Sequence, residues 1–321
     1  ALDVDENWLI VGEEWGNSLS GDVVSIPFDG ETYNEDNLSV YNSTIQWQKV
    51  GSSVAISGDD LIIGASGPHN SGIYPGPGKV FFQRFDGDRW VPTQWFSPDT
   101  LGPQSEMGGV VAMSGNLAMA GPDVYTDYKA TSDQFVYTFE RTGDTWSETE
   151  MLLPNDLPSY GDFGSAISMQ GMTAAIGAPG DDFGGSVYLY THNGNEWIQT
   201  TKLTATEQGS LDRFGASVCL QGEYLLVGAP QDDEVSQNSG AVYVFRNESG
   251  SWRQLHKQTT GNANVNFFGS ALAADGTHAV VGANRLDSNV DDETGAAYVY
   301  GYLPIGLYVD QDQIHEGGST Q

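Results

Sequence analysis

The sequence predicts an all-β fold, a β-propeller of four-stranded antiparallel blades, and three observations predict it. A short aliphatic run closed by glycine recurs six times, at Gly12, Gly64, Gly121, Gly177, Gly228 and Gly282, at intervals of 52, 57, 56, 51 and 54 residues. Around these runs other landmarks keep the same phase, an apolar-Gly pair before and an alternating aromatic segment after. Between them no stretch has helical periodicity, while 41 Gly and 11% aromatic residues supply tight turns and strand formers. A supersecondary unit repeated at this length is how blades and stacked repeats are written in sequence.

Each repeat divides into four strands, A to D. Strand A opens at the apolar-Gly pair: Val50-Gly51, Met107-Gly108, Phe163-Gly164, Phe214-Gly215 and Phe268-Gly269. A short polar turn such as Ser57-Gly58-Asp59 leads to strand B, the aliphatic run that ends at the recurring glycine. A longer polar loop leads to strand C, read as Val80–Phe85, Phe135–Phe139, Val187–Tyr190, Val242–Phe245 and Ala297–Tyr300. A Gly-polar hairpin closed by Trp90, Trp146, Trp197 or Trp252 then starts strand D. The fixed place of this Trp at a hairpin predicts packing on the adjacent strand rather than a sugar platform. The Phe of Phe-Gly is read as core, and its glycine as the point where neighbouring blades approach closely.

The whole of 1–321 reads as a single propeller domain with repeats at about 1–44, 45–100, 101–156, 157–208, 209–262 and 263–310, then a flexible tail over 311–321. The opening Ala1-Leu2-Asp3-Val4-Asp5 reads as mid-strand sequence, with no signal peptide ahead of it.

Composition narrows the partners. Asp and Glu number 43 against 12 Lys and Arg, a net charge of −31. Phosphate binding needs clustered cations, so nucleic acid is excluded, and docking on anionic membranes is disfavoured. No apolar run approaches the roughly 18 residues of a membrane-crossing helix, so no membrane insertion is expected. Cys219 is the one cysteine, so no intrachain disulfide forms, and its apolar setting marks it as a small core residue. Sequons at Asn37, Asn42 and Asn247 sit in polar, turn-like settings and are the candidate glycosylation sites of a secreted or cell-surface chain.

Phe163-Gly164-Ser165-Ala166 with Gly177-Ala178-Pro179, and Phe214-Gly215-Ala216-Ser217 with Gly228-Ala229-Pro230, resemble the FG-GAP repeat, the unit of the propeller heads of integrin α chains. Degenerate copies carry the resemblance over nearly the whole chain. It implies a propeller, usually of seven blades; six repeats are visible, so the ring has six blades, or seven with part of it outside this chain. It also implies Asp-X-Asp-X-Asp-Gly calcium loops in the A–B hairpins. Here those turns are short, as at Ser57–Asp60, Ser114–Asn116 and Gln221–Glu223, and hold too few carboxylates for the roughly six to eight oxygens calcium takes.

Ligand chemistry is therefore sought in the B–C loops, which are long and acidic and would gather negative potential on one rim. Asp287, Asn289 and Asp291 have the alternate spacing of a calcium loop, although Asp292 stands where its glycine belongs. The pairs Asp181-Asp182 and Asp232-Asp233 after the two Gly-Ala-Pro turns are the other candidate metal ligands, with calcium as the cofactor. Trp15, Tyr74, Tyr125 and Tyr128 are the loop aromatics able to stack on a sugar. His69, His192, His256, His278 and His315 are scattered without ligand spacing, and no nucleophile elbow or phosphate-cradling loop occurs, so no catalytic set is assigned. The function read from the sequence is an extracellular adhesion or assembly module, non-catalytic, contacting a protein partner or copies of itself. The alternatives are a lectin-like propeller, calcium-assisted, and behind it a secreted hydrolase.

Overall fold

The computed structural model describes residues 1–321 except 14–20, 35–37, 43–48, 67–77, 99–106, 123–134, 157, 159–160, 208, 263–264, 287–294, 304–305 and 317–321. The described residues contain no helix and form six antiparallel sheets of four strands, the blades of a β-propeller. They divide into two compact units, Ala1–Leu153 with His192–Trp197, and Pro154–Thr191 with Ile198–Gln321.

The first unit holds three blades. They are β1 (Leu2–Val4), β2 (Trp8–Glu13), β3 (Asp22–Pro27) and β4 (Ser39–Asn42); β5 (Val50–Ser57), β6 (Asp60–Ala65), β7 (Lys79–Phe85) and β8 (Trp90–Phe96); and β9 (Met107–Ser114), β10 (Leu117–Pro122), β11 (Val136–Thr142) and β12 (Thr145–Leu152). The second unit holds β13 (Ala166–Gln170), β14 (Thr173–Ala178), β15 (Ser186–His192) and β16 (Trp197–Leu203), whose opening hairpin clusters with the first unit. It continues with β17 (Ser217–Gln221), β18 (Tyr224–Ala229), β19 (Ala241–Glu248) and β20 (Ser251–Gln258), then β21 (Val265–Ala274), β22 (His278–Leu286), β23 (Ala296–Leu303) and β24 (Gly306–Glu316). The last strand pairs its backbone with β23 as far as Glu316, so 311–316, read from sequence as tail, complete a blade.

Central strands between two blades are apolar on both faces because both are covered. In β18 the segment from Leu225 to Ala229 is wholly buried, with Leu226 facing one neighbouring blade and Val227 the other. Each apolar cluster is made by two successive blades: Phe214, Tyr243 and Phe245 join Val187, Leu189 and Leu203, and Phe268 joins Leu226 and Val244. Phe163, Phe214 and Phe268 are fully buried. Phe214 meets Tyr243 and Phe245 edge-on with centroids 5.3 and 5.9 Å apart, the geometry aromatic quadrupoles favour. The hairpin tryptophans Trp90, Trp146 and Trp197 are buried too, and Trp252 half-buried: Trp146 stacks on Phe82 at 4.5 Å, leaving no face for a sugar.

The paired glycines have a direct steric cause. A Cβ on Gly177 would collide with the carbonyl oxygen of Gly215, and one on Gly228 with that of Gly269. Gly215 itself sits at φ +93° with its Cα against the next-door strands, where a side chain is both strained and obstructed. The glycine ending strand B and the glycine opening the following strand A thus form one backbone-to-backbone contact between successive blades. The same contact recurs at Gly12 with Gly51 and Gly64 with Gly108.

The A–B turns, poor in carboxylates, serve as pegs between blades. Asp5 Oδ2 accepts from the Gly58 N–H at 3.0 Å, Ser57 Oγ from Gly115 at 2.9 Å, and Gln170 Oε1 from Gly222 at 2.7 Å. One side chain per turn satisfies a backbone donor on the next blade that would otherwise lack a protein partner.

Candidate functional site

Two B–C loops are described in full, both in the second unit, joining β14 to β15 and β18 to β19. Each begins by turning on its first aspartate: the N–H of Asp181 bonds to the Ala178 carbonyl at 3.1 Å and that of Asp232 to the Ala229 carbonyl at 3.1 Å. Each closes on the same residue, since Gly185 donates to the Asp181 carbonyl at 2.6 Å and Gly240 to the Asp232 carbonyl at 2.9 Å. The closing glycines have positive φ and lie against the backbone of Phe214 and Phe268, so each loop is seated on the Phe-Gly of the following blade.

The side chains of Asp181 and Asp232 turn inward, with 0% and 2% of their surface exposed. An isolated carboxylate at that depth is costly, and each is matched by two partners from strands C and D. Tyr188 Oη on β15 donates to Asp181 Oδ2 at 2.6 Å, and Lys202 Nζ on β16 lies 2.9 Å from the same oxygen. Lys202 also reaches Asp182 at 2.6 Å and Asp156 at 3.1 Å. In the next blade Tyr243 Oη donates to Asp232 Oδ2 at 3.0 Å, while Lys257 Nζ lies 2.8 Å from it and 2.7 Å from Glu234 Oε2. Both ammonium groups also lie over the ring of their tyrosine, at 5.2 and 5.4 Å from its centroid.

The electrostatics follow from this packing. Burial alone would lower the pKa of the Lys202 ammonium, but hydrogen bonds to Asp182, Asp181, Tyr188 and Asp156 outweigh it and hold the group above the usual lysine range. Lys257 is raised likewise against its own burial by Asp232 and Glu234. Burial and the neighbouring aspartate push both tyrosines well above the ordinary phenol value, so each stays a hydrogen-bond donor. Asp212, beside the second clamp, is raised by burial despite a hydrogen bond from Gly209.

This arrangement bears on the sequence-predicted metal ligands. At Asp181-Asp182 and at Asp232 the place a cation would take is filled by a lysine Nζ, and a dication there would have to displace it. Those residues therefore do not fit a metal centre as they stand. Asp233 accepts from the Asn238 N–H at 2.7 Å. Among the described residues no group of three or more His, Cys, Asp or Glu is placed to hold a metal ion. Asp287, Asn289 and Asp291 lie outside the described residues, as do Asn37 and all four candidate sugar-stacking aromatics, Trp15, Tyr74, Tyr125 and Tyr128. Asn42 ends β4, and Asn247 sits at the β19–β20 hairpin, where its Oδ1 accepts from Gly250 N–H at 2.7 Å.

Reasoning from sequence missed Tyr188, Lys202, Tyr243 and Lys257. A signal was present: in a chain poor in cations, the lysine follows the strand C tyrosine at the same interval in both repeats, and Tyr243 and Lys257 pair directly across the sheet. The equivalent cross-strand neighbour of Tyr137 is Met151 and that of Tyr298 is Ile314, so these repeats lack the lysine. The described histidines have structural surroundings: His192 packs on Trp197 with centroids 5.1 Å apart, His256 contacts Gln258, and His278 lies in the turn headed by Asp275. Cys219 is largely buried, which pushes its thiol up to about 11 and keeps it protonated at neutral pH.

Comparison with known proteins agrees with the blade geometry. The FG-GAP repeat profile matches residues 146–190, 197–245 and 252–300. Each match runs from a strand D tryptophan to the strand C of the following blade. Integrin alpha-6 of Gallus gallus is 25% identical over 197 residues, covering 56% of this chain and 18% of that protein. Integrin alpha-2 of Bos taurus is 30% identical over 141 residues, covering 39% and 12% respectively. The aligned chain thus spans less than a fifth of the length of these curated relatives.

Proposed function

The chain is an FG-GAP repeat β-propeller, and on that premise we propose that it is a non-catalytic protein-interaction module of the cell exterior, serving adhesion or assembly. The observation that carries this reading is the pair of Asp–Tyr–Lys clamps. They fix two loops in one geometry with buried ion pairs, yet leave Phe183 and Asp233 exposed, with Asp182 half exposed while paired to Lys202. Fixed loops on a rigid scaffold bind at low entropic cost, which suits recognition of a protein surface. The acidic balance favours a partner with a basic face, and the sequons at Asn37, Asn42 and Asn247 suit a secreted or surface-displayed chain. Self-assembly is the less favoured partner choice, because like-charged copies repel.

A glycan reading has one observation in its favour: Trp95 on β8 is 60% exposed, with Lys79 Nζ 5.1 Å from its ring centroid. Calcium, if held, is assigned to Asp287, Asn289 and Asp291 in the β22–β23 loop, whose blade lacks the lysine. The test is a surface coated with the protein, presented to cells of its source with calcium or chelator, alongside a glycan array. Adhesion abolished by protease treatment of the cells supports the proposal. Array binding together with protease-resistant adhesion overturns it in favour of the lectin, and a melting temperature indifferent to calcium removes the metal.

A further inference from the structure

Two large apolar side chains stand out of the second unit where the chain is least able to accommodate them. Phe183, in the β14–β15 loop, is 88% exposed at φ +64°, and Leu211, before β17, is 72% exposed at φ +70°. Side chains beyond glycine, asparagine and aspartate seldom take this left-handed conformation, and bulky ones pay a steric penalty in it. The two residues are neighbours: the Leu211 N–H donates to the Phe183 carbonyl at 2.5 Å, and the Phe214 N–H to the Gly184 carbonyl at 2.7 Å. A strained backbone, an exposed apolar pair and two loops tied together coincide at one place. Strain of this kind gathers where function requires it.

The repeat itself supplies the control. In the next blade the place of Phe183, two residues before the closing glycine, is taken by Asn238, which has the same left-handed backbone at φ +55° and likewise offers its carbonyl to the following segment, and the residue aligned with Leu211 is Val265, which is fully buried. The loop therefore closes without a projecting aromatic, and the segment before the Phe-Gly pair packs without an exposed aliphatic. Neither Phe183 nor Leu211 is needed to build the loop that carries it.

We propose that Phe183 and Leu211 form the apolar centre of a docking site for a basic protein segment that carries aliphatic side chains, a commitment that rests on reading the chain as a protein-interaction module. The charge around the pair selects the partner. Exposed Asp182 adjoins Phe183, and Glu207 precedes Leu211 in the same segment. Asp212, just after Leu211, is 5% exposed and accepts from the Gly209 N–H, so the charge open to a partner is that of Asp182 and Glu207. The neighbouring cations are already engaged, Lys202 by three carboxylates and Arg213 by Asp162 at 3.6 Å. An apolar centre within a negative rim is the complement of an apolar patch flanked by Lys or Arg. A second copy of this chain, bearing the same negative rim, would be repelled.

The test uses the full chain with the single variants Phe183→Asn and Leu211→Asn, because asparagine tolerates positive φ and removes the apolar surface. The probes are a synthetic peptide alternating Leu and Lys, a Ser-Lys peptide of equal charge, and a Leu-Ser peptide without charge, with affinity read by calorimetry. The Leu-Lys peptide is expected to bind the unaltered chain at least tenfold more tightly than either control, and to lose about that factor in each variant. Melting temperatures should stay level or rise, since the variants relieve strain. Equal binding by the variants overturns the site, as does a fall in melting temperature in both, which would mark the residues as structural. A concentration-dependent dimer lost in the variants also overturns it, by making the occupant a second copy. Should the site fail while protease-sensitive adhesion persists, the interaction module stands and its contact surface lies elsewhere.

Discussion

Lys257 Nζ lies 2.8 Å from a carboxylate that is 2% exposed, and the lysine side chain is itself 11% exposed. Replacing it by Met keeps the aliphatic packing but strands the Asp232 charge at 2% exposure without its cation. Removing one partner of a buried pair costs about 3–5 kcal/mol, and Lys257→Met is expected in that range by denaturant titration. Lys202→Met should cost a similar amount, because Asp181, the carboxylate it strands, is 0% exposed, while Asp156 and Asp182 are half exposed and can rehydrate. Adding Asp232→Asn to Lys257→Met should recover part of the loss, and a double variant no better than the single would refute the pairing. The clamps also set a pH window. A lysine raised in the folded state contributes fully below its unfolded value near 10.5 and loses that contribution only as pH climbs through the higher folded value. Acid acts on other residues. Asp275 heads the β21–β22 turn, and hydrogen bonds from Thr277 Oγ1 and then from the His278 and Thr277 N–H groups lower it to about 2. Its contribution is present above its unfolded value near 3.8 and is lost as pH falls towards 2. Asp275→Ser retains a turn acceptor without the titration, so its stability should fall less between those pH values than that of the unaltered chain.

Strands in this chain are joined by rules that act at the level of the blade. The glycine opening strand A was legible as a point of close approach between blades, while its partner closing strand B read only as a repeat landmark, because no spacing shows which backbones meet. The fully buried Phe163, Phe214 and Phe268 were legible, since an apolar residue held in phase with a repeat has a fixed partner. The clamps were not legible, because Lys202 and Lys257 lie on strand D, far in sequence from the aspartates they neutralise, and a long polar loop reads the same whether its acids point in or out. The exposure of Phe183 and Leu211 was hidden similarly, since an aromatic beside Gly looks like core. The steric rule can be tested within one chain. Gly228→Ala drives a Cβ into the Gly269 carbonyl, whereas at Gly282 the nearest atom is the Ala271 Cβ at 3.2 Å. Overpacking against backbone costs about 1–3 kcal/mol, so Gly228→Ala should lose near the upper end by urea titration and Gly282→Ala well under half of it. Equal losses would mean that the contact between blades is not what demands glycine.

Across the whole molecule the excess of acid becomes an energetic term of its own. Of the Lys and Arg whose side chains are described, most are already held in ion pairs, including Arg84 with Asp144, Arg141 with Asp60, Arg246 with Glu223 and Arg253 with Glu248. Little positive charge is left to offset a net −31. Compacting such a chain brings like charges together, which opposes folding, while added salt weakens the repulsion. The range of that repulsion contracts from about 30 Å at 0.01 M salt to about 3 Å at 1 M. The exposed ion pairs are weakened by the same screening, but each contributes little in water, and the two buried clamps are screened least. Repulsion among the remaining carboxylates therefore dominates, and the melting temperature should climb steadily with sodium chloride over that range. Sodium and potassium should act alike, since no fixed coordination is involved. Calcium chloride at matched ionic strength separates screening from binding: a curve overlying that of sodium means screening alone, and an added saturable rise means a bound ion at Asp287, Asn289 and Asp291. A melting temperature that fell with sodium chloride would show that surface ion pairs, and not repulsion, govern the stability of the chain.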